Sequence, residues 1–195
     1  MTGEIESLYR QHGDTLVIEI VLNSVMQLYH SLDPSPFKER ELNGNAEEYI
    51  FNAVDEIPRK KSIEMVVYLP EQEITLDTTT TLPTSIRNHF EYKSALSARE
   101  FTRLMRRGRM VLAIAAITLF LCLSARQVIP TYVGSGPGVI MLEEALLIVG
   151  WAAMWEPVTI FFYDWWPIRQ KQQVYDRVSR MDISVKPWKS LLDPR

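Results

Sequence analysis

Hydrophobic positions along this chain are first short and interrupted, then long and continuous. Residues 15–22, TLVIEIVL, are β-branched and apolar with one charge, which predicts a largely buried strand. Asn23 or Ser24 is placed to cap a short helix, Val25–Leu32, with Val25, Leu28, Tyr29 and Leu32 on one face. The SLDPSPF stretch then breaks regular structure, with Asp33 suited to bonding amides in a turn. Asn43-Gly44-Asn45 reads as a turn and cap leading into a helix, Ala46–Glu56, with Tyr49, Ile50, Ala53 and Val54 inward. Pro58 stops it. Residues 63–69, IEMVVYL, predict a second strand ended by Pro70. EQEITL (71–76) is expected to fold back as an antiparallel edge strand, and Asp77–Thr81 to form a loop. Residues 1–82 thus predict a small α+β head.

The pattern changes after Pro83–Thr84, which give helix-start signals. From Ser85 to about Gln127 there is no proline and a single glycine, Gly108. One long helix is expected, with a basic juxtamembrane part at 83–109 that continues into an apolar run. Two membrane spans follow, about 110–129 and 143–166, within a hairpin covering 110–168. Pro130–Pro137 is the turn between them. From Ala145 to Ile168 the charged side chains are Glu156 and Asp164 alone. That run covers about 36 Å as a helix, more than the ~30 Å hydrocarbon core. The tail, 169–195, is expected to stay helical to about Arg180, with Met181–Val185 free to pair as a strand with the head. The fold class is therefore α+β: a small cytoplasmic α/β layer, then a long helix continuing into a two-helix transmembrane hairpin.

Composition alone conceals this division. The chain has 195 residues, 21 Lys+Arg and 24 Asp+Glu, and a mean hydropathy of −0.06. Its one cysteine, Cys122, cannot form an intramolecular disulfide and suits a reducing compartment. The amino-terminal stretch has no basic region followed by an apolar core, so no signal peptide is expected. Charge is uneven. Residues 4–56 are acidic, whereas 99–109 carry Arg99, Arg103, Arg106, Arg107 and Arg109 against Glu100. With Arg169, Lys171 and Arg177 after the second span, the positive-inside bias puts both termini in the cytoplasm. The expected location is the cytoplasmic (inner) membrane.

The sharpest candidate residue is Glu156, an acid near the middle of the second apolar run, beside Pro157. An ionisable group at such depth costs about 2.5–3.5 kcal/mol and faces protein or water. Pro157 frees a carbonyl one turn earlier, around Ala153. Glu156 either lines a proton or cation path between several subunits or fixes helix packing; both favour a homo-oligomer. Gly150, Ala152 and Ala153 permit close helix approach. Glu143 and Glu144 are either a ring at an outer mouth or a solvated helix N-terminus favoured by the dipole. Arg103, Arg106, Arg107, Arg109, Arg169 and Lys171 are expected to set topology and meet anionic headgroups rather than nucleic acid. Tyr163, Trp165 and Trp166 belong at the interface. His12, His30 and His89 lack metal-ligand spacing, and no phosphate loop or nucleophile elbow appears. No metal, no cofactor and no enzymatic activity are expected. The leading function is a self-associating scaffold or accessory subunit; the alternative is an oligomeric conduit centred on Glu156.

SLDPSPFKERELNGNAEEYI near the start, together with EALLIVGWAAMWEPVTIFFYDWWPIRQKQQVYDR near the end, resembles a family of uncharacterised two-span bacterial and archaeal membrane proteins. The resemblance covers most of the chain and is most specific in the tryptophan-rich second span. It implies a membrane location and a cytoplasmic head. It carries no catalytic residue with it.

Overall fold

A computed structural model describes residues 9–29 and 41–191. The SLDPSPF turn, Asp33 and His30 lie outside the described residues. In order, the elements are β1 (Arg10–His12), β2 (Thr15–Val21), a 3-10 turn at Val25–Leu28, α1 (Gly44–Glu56) and β3 (Ser62–Leu69). They continue with α2 (Leu76–Val133), α3 (Pro137–Ala153), α4 (Trp155–Thr159), a π-helical segment Ile160–Asp164, α5 (Trp165–Arg180) and β4 (Asp182–Pro187). The strands form one sheet in the order β1-β2-β3-β4. β1 is antiparallel to β2, while β3 is parallel to both β2 and β4.

The chain divides into two compact units, one drawn from residues up to Leu96 and from Lys171 onward, the other Ser97–Gln170. The head is thus assembled from both ends of the sequence. Its α+β layout has the expected strands at 15–22 and 63–69 and the pairing of 181–185 with the head. One face of the sheet carries Leu16, Ile18 and Ile20 beside Met65 and Val67 and, on β4, Ile183. It is buried with Ile50 and Val54 of α1, Ile86 and Phe90 of α2, and Val174 and Val178 of α5. The other face is charged around a small apolar patch of Val17, Val66 and Tyr68.

Several elements depart from expectation, each for a local reason. The β1–β2 hairpin turns at Gly13-Asp14, where Gly13 takes φ +65°; positive φ at the first central position suits glycine. The expected edge strand at 71–76 is instead a 3-10 turn, Glu71–Glu73. Glu73 is occupied there, accepting the Val25 N–H at 2.9 Å. The expected loop Asp77–Thr81 is the first turns of α2. Thr75 Oγ1 accepts the Thr78 N–H at 3.1 Å, as a helix cap, and the Thr79 and Thr80 hydroxyls donate to the Leu76 carbonyl, both at 3.0 Å. The first short helix is a single 3-10 turn closed by a Ser24–Gln27 capping box. Tyr49, expected inward on α1, is 55% exposed.

Arg177 of α5 is a clasp within the head. Its guanidinium donates to the carbonyls of Val54, Ile57, Pro58 and Lys61, at 3.3, 2.8, 3.0 and 2.7 Å. The last turn of α1 leaves carbonyls without intrahelical donors, and Arg177 meets one of them, Val54, together with three from the chain that follows the helix.

Candidate functional site in the apolar hairpin

The second unit holds residues 97–133 and 137–170 of two helical runs, Leu76–Val133 and Pro137–Arg180, each long and apolar enough to cross a membrane. Helix α2 continues through Pro130 to Val133, so the break is confined to residues 134–136 rather than the expected 130–137. Gly134, at φ +85°, closes it, donating its N–H to the Pro130 carbonyl at 3.0 Å. Inside the hairpin the contacts run in antiparallel register. Arg126 Nη2 meets Glu144 Oε1 at 3.5 Å, Gly150 lies against Leu119 and Cys122, Gly108 against Ile160 and Phe161, and the Arg169 guanidinium lies 5.3 Å from the Phe101 ring centre.

The two glycines set this approach. A Cβ on Gly108 would stand 2.8 Å from Ile160 Cγ2, and one on Gly150 would stand 2.9 Å from Leu119 Cδ1 and 3.2 Å from Cys122 Cβ. Small residues at such contacts let helices approach closely enough to gain dispersion energy. Cys122 is buried there, against a helix.

Glu156 does not stand alone. Arg107 Nη2 donates to Glu156 Oε1 at 2.9 Å. The pair lies along the hairpin between the Gly150 and Gly108 contacts, level with the basic end of the first apolar run, three residues before Met110. It is not near the middle of a span, where Glu156 was expected, because the antiparallel register sets that residue opposite Arg107. Its side chains are 68% and 54% exposed. Pro157, which is buried, lacks the N–H that would close the helix onto Ala153, and α3 ends at that residue. The second run is therefore interrupted twice, at Met154 and by the π segment, instead of being one regular helix.

The π segment re-aims a second carboxylate. Eight residues of regular α-helix rotate a side chain roughly 80° past its starting face. The wider π turn cancels most of that drift. Asp164 thereby joins Glu156, Arg107, Thr159 and Trp155 in one open groove of about 520 Å³. Single π turns inside α-helices frequently mark functional sites. The arrangement is one ion pair with a second acid on the same groove, on a unit that exposes apolar side chains such as Ile114, Ile117, Phe120, Ile148, Trp151 and Phe162.

The remaining candidates separate. Glu143 and Glu144 lie beyond the first turn of α3, so the helix dipole does not hold them; Glu144 is paired with Arg126. Tyr163 and Trp166 are exposed, whereas Trp165 is half-buried and donates its indole N–H to the Phe161 carbonyl at 2.8 Å. Lys171 lies in the head unit, 5.8 Å from the Tyr175 ring centre. Arg103, Arg106 and Arg109 are exposed on α2.

A polar cluster in the head escaped the sequence reading. Glu47 of α1 accepts hydrogen bonds from His89 Nε2 at 3.2 Å and from the Tyr175 hydroxyl at 2.9 Å, and pairs with Lys93 at 3.0 Å. The His89 side chain is 4% exposed and Glu47 16%. The Leu42 N–H points at His89 Nδ1, at 3.4 Å, which fixes the neutral tautomer with its proton on Nε2. Burial lowers the His89 pKa, against the opposing pull of Glu47. Burial raises that of Glu47, but hydrogen bonds from Lys93 and Tyr175, the Lys93 charge and the His89 contact outweigh it and hold the carboxyl below its usual range. Burial and Glu47 together push the Tyr175 phenol up. The signal available in sequence was weak: Glu47, His89 and Lys93 share no local motif, and only the helix periodicity of His89 and Lys93 links two of them.

Comparisons with family models, curated proteins and solved structures return no match.

Proposed function

We propose that this chain is a two-span protein of the cytoplasmic membrane, with both termini in the cytoplasm, that self-associates through its hairpin as a non-enzymatic scaffold or accessory subunit. The observation that carries this reading is the Arg107–Glu156 pair. It is more than half exposed at the basic end of the first apolar run, beside exposed apolar side chains such as Trp155 and Phe162, and two helices have no interior in which to hide these. At headgroup depth water can reach the pair, and a second copy of the hairpin would cover the groove's apolar wall while offering its own pair as a charged partner. Pairing the acid with a guanidinium offsets part of its desolvation cost.

The test is the assembly state in mild detergent, by light scattering. Wild type should be an oligomer. Arg107→Glu should dissociate it, and Arg107→Glu combined with Glu156→Arg should restore it. A monomeric wild type overturns the reading. The conduit alternative has less support, because Arg107 holds Glu156 in place of a mobile proton or cation. An ion flux in liposomes that Glu156→Gln abolishes would favour it.

A further inference from the structure

The arginines of α2 are not equivalent in the structure. Arg107 is engaged by Glu156, and Arg169, across the hairpin, lies over Phe101. Arg99, Arg103 and Arg106 form a different set. They line one open groove on α2, with Ala98 and Thr102 between them as a small-residue floor. At about 3.6 residues per turn they fall within roughly 60° of arc. Arg109 lies outside that arc. Among the described residues no carboxylate is within ion-pair distance of the three, and Glu100, next to Arg99, falls on another face of the helix. Like charges three and four residues apart repel one another on a helix. A stripe of this kind is uncompensated by its own unit and is ready for an external anion.

We infer that Arg99, Arg103 and Arg106 form a binding site for the phosphate of an anionic phospholipid headgroup. This rests on the membrane reading given above and assigns a ligand class to one face of α2. The depth fits. Arg106 precedes Met110, where the apolar run begins, by four residues, about 6 Å of helix. The headgroup layer is roughly 5–8 Å thick on each side of the hydrocarbon core. Arg106 therefore stands at phosphate depth and Arg103 just above it. Arg99 is about 16 Å from the hydrocarbon, within about one Debye length of the headgroup surface. Arginine is suited to this task because its planar fork offers parallel N–H donors to two phosphate oxygens.

The experiment is lipid retention by the full-length protein purified in detergent, read by native mass spectrometry. Phosphatidylglycerol and phosphatidic acid are each offered in competition with phosphatidylcholine. Each basic residue near the surface adds about fivefold to anionic-lipid affinity, so Arg99→Gln/Arg103→Gln/Arg106→Gln should lose roughly a hundredfold of the preference. The control, Arg59→Gln/Lys60→Gln/Lys186→Gln, removes the same charge from the head and should keep it. Circular dichroism shows whether each variant retains its helices. Undiminished preference in the folded arginine variant, or equal loss in the head control, overturns the site. Displacement of lipid by millimolar inorganic phosphate would assign the groove to a soluble phosphate and likewise overturn the headgroup. A protein recovered without detergent as a soluble species sinks the membrane reading itself, which is a distinct result.

Discussion

Glu47 is the residue on which the head's polar chemistry converges. Its carboxylate takes Lys93, His89 and the Tyr175 hydroxyl, so it ties α1 to α2 and α5 where neighbouring contacts are apolar. Hydrogen bonds to a charged group are worth about 1.5–3 kcal/mol, and a partner left buried and unpaired costs more than the bond gained. Glu47→Gln should therefore lower stability by about 2–3 kcal/mol, read as a fall in the denaturant midpoint at unchanged slope. The pH dependence follows from the directions of the shifts. His89 binds its proton less readily folded than unfolded, so the unfolded state takes up more protons as pH falls. Stability is full above the ordinary histidine value of 6.5 and declines below it. Glu47, held low, adds a second decline below its ordinary value of 4.5. Thermal melts from pH 8 to pH 4 should show the first decline in wild type and lose it in His89→Gln. A wild-type profile flat across pH 7.5 to pH 5.0 would show that His89 is not a buried neutral imidazole.

Elements were legible where one local signal ruled. The strands 15–22 and 63–69 followed from β-branched apolar runs, and α1 from Asn43, whose side chain accepts the Asn45 N–H at 3.1 Å. The Asp77–Thr81 stretch misled because threonine has poor helix propensity in isolation, while here Thr75 caps the helix and the hydroxyls of the following threonines bond back to it. Met154 and the π segment were illegible for another reason: the sequence shows Pro157 but not which carbonyl is left open or how the chain absorbs it. The Arg107–Glu156 pair was hidden because it depends on the antiparallel register, which neither run fixes alone. The glycines set that register. Ile160 is β-branched and its γ2 methyl has little freedom to retreat in a helix, whereas Leu119 Cδ1 is the end of a flexible chain. Gly108→Ala should therefore disturb the hairpin more than Gly150→Ala, at about 1–3 kcal/mol of overpacking. Cysteine crosslinking between Ala125 and Leu146, both half-buried near the Arg126–Glu144 contact, would read hairpin closure. Equal crosslinking in both variants and wild type would contradict the packing role.

At the scale of the whole molecule, the head encloses the hairpin in sequence. β3 precedes the two apolar runs and β4 follows them, yet the two strands are hydrogen-bonded neighbours, with Met65 opposite Ile183 and Val67 opposite Val185. Helix α5 adds Val174, Tyr175 and Val178 to the core, and the Trp188 indole reaches the Leu22 carbonyl at 3.1 Å. No cut before Ser97 yields a complete head. A chain ending at Arg180 loses β4, leaves the β3 edge unpaired and uncovers the core beneath Ile183. An open edge of this kind is a template for aggregation, and a sheet this small has little margin. The fragment 1–180 and the chain 1–195, purified side by side in the same detergent, decide the matter. Full-length protein should elute as a defined species and resist limited proteolysis in residues 41–96. The shortened chain should be cleaved there or run as aggregate, although every residue of both apolar runs is still present. Equal protection of residues 41–96 in the two would mean that the amino-terminal part folds without its carboxy-terminal strand, against the topology β2-β3-β4. The same closure makes a prediction about topology in the proposed membrane. Two strands of one sheet cannot lie on opposite sides of a bilayer. A reporter at Met1 and one at Arg195 must therefore give the same answer, and one inserted at Ser135, in the break between the runs, the opposite. Matching signals from Ser135 and the two ends would leave the runs unable to be a spanning hairpin.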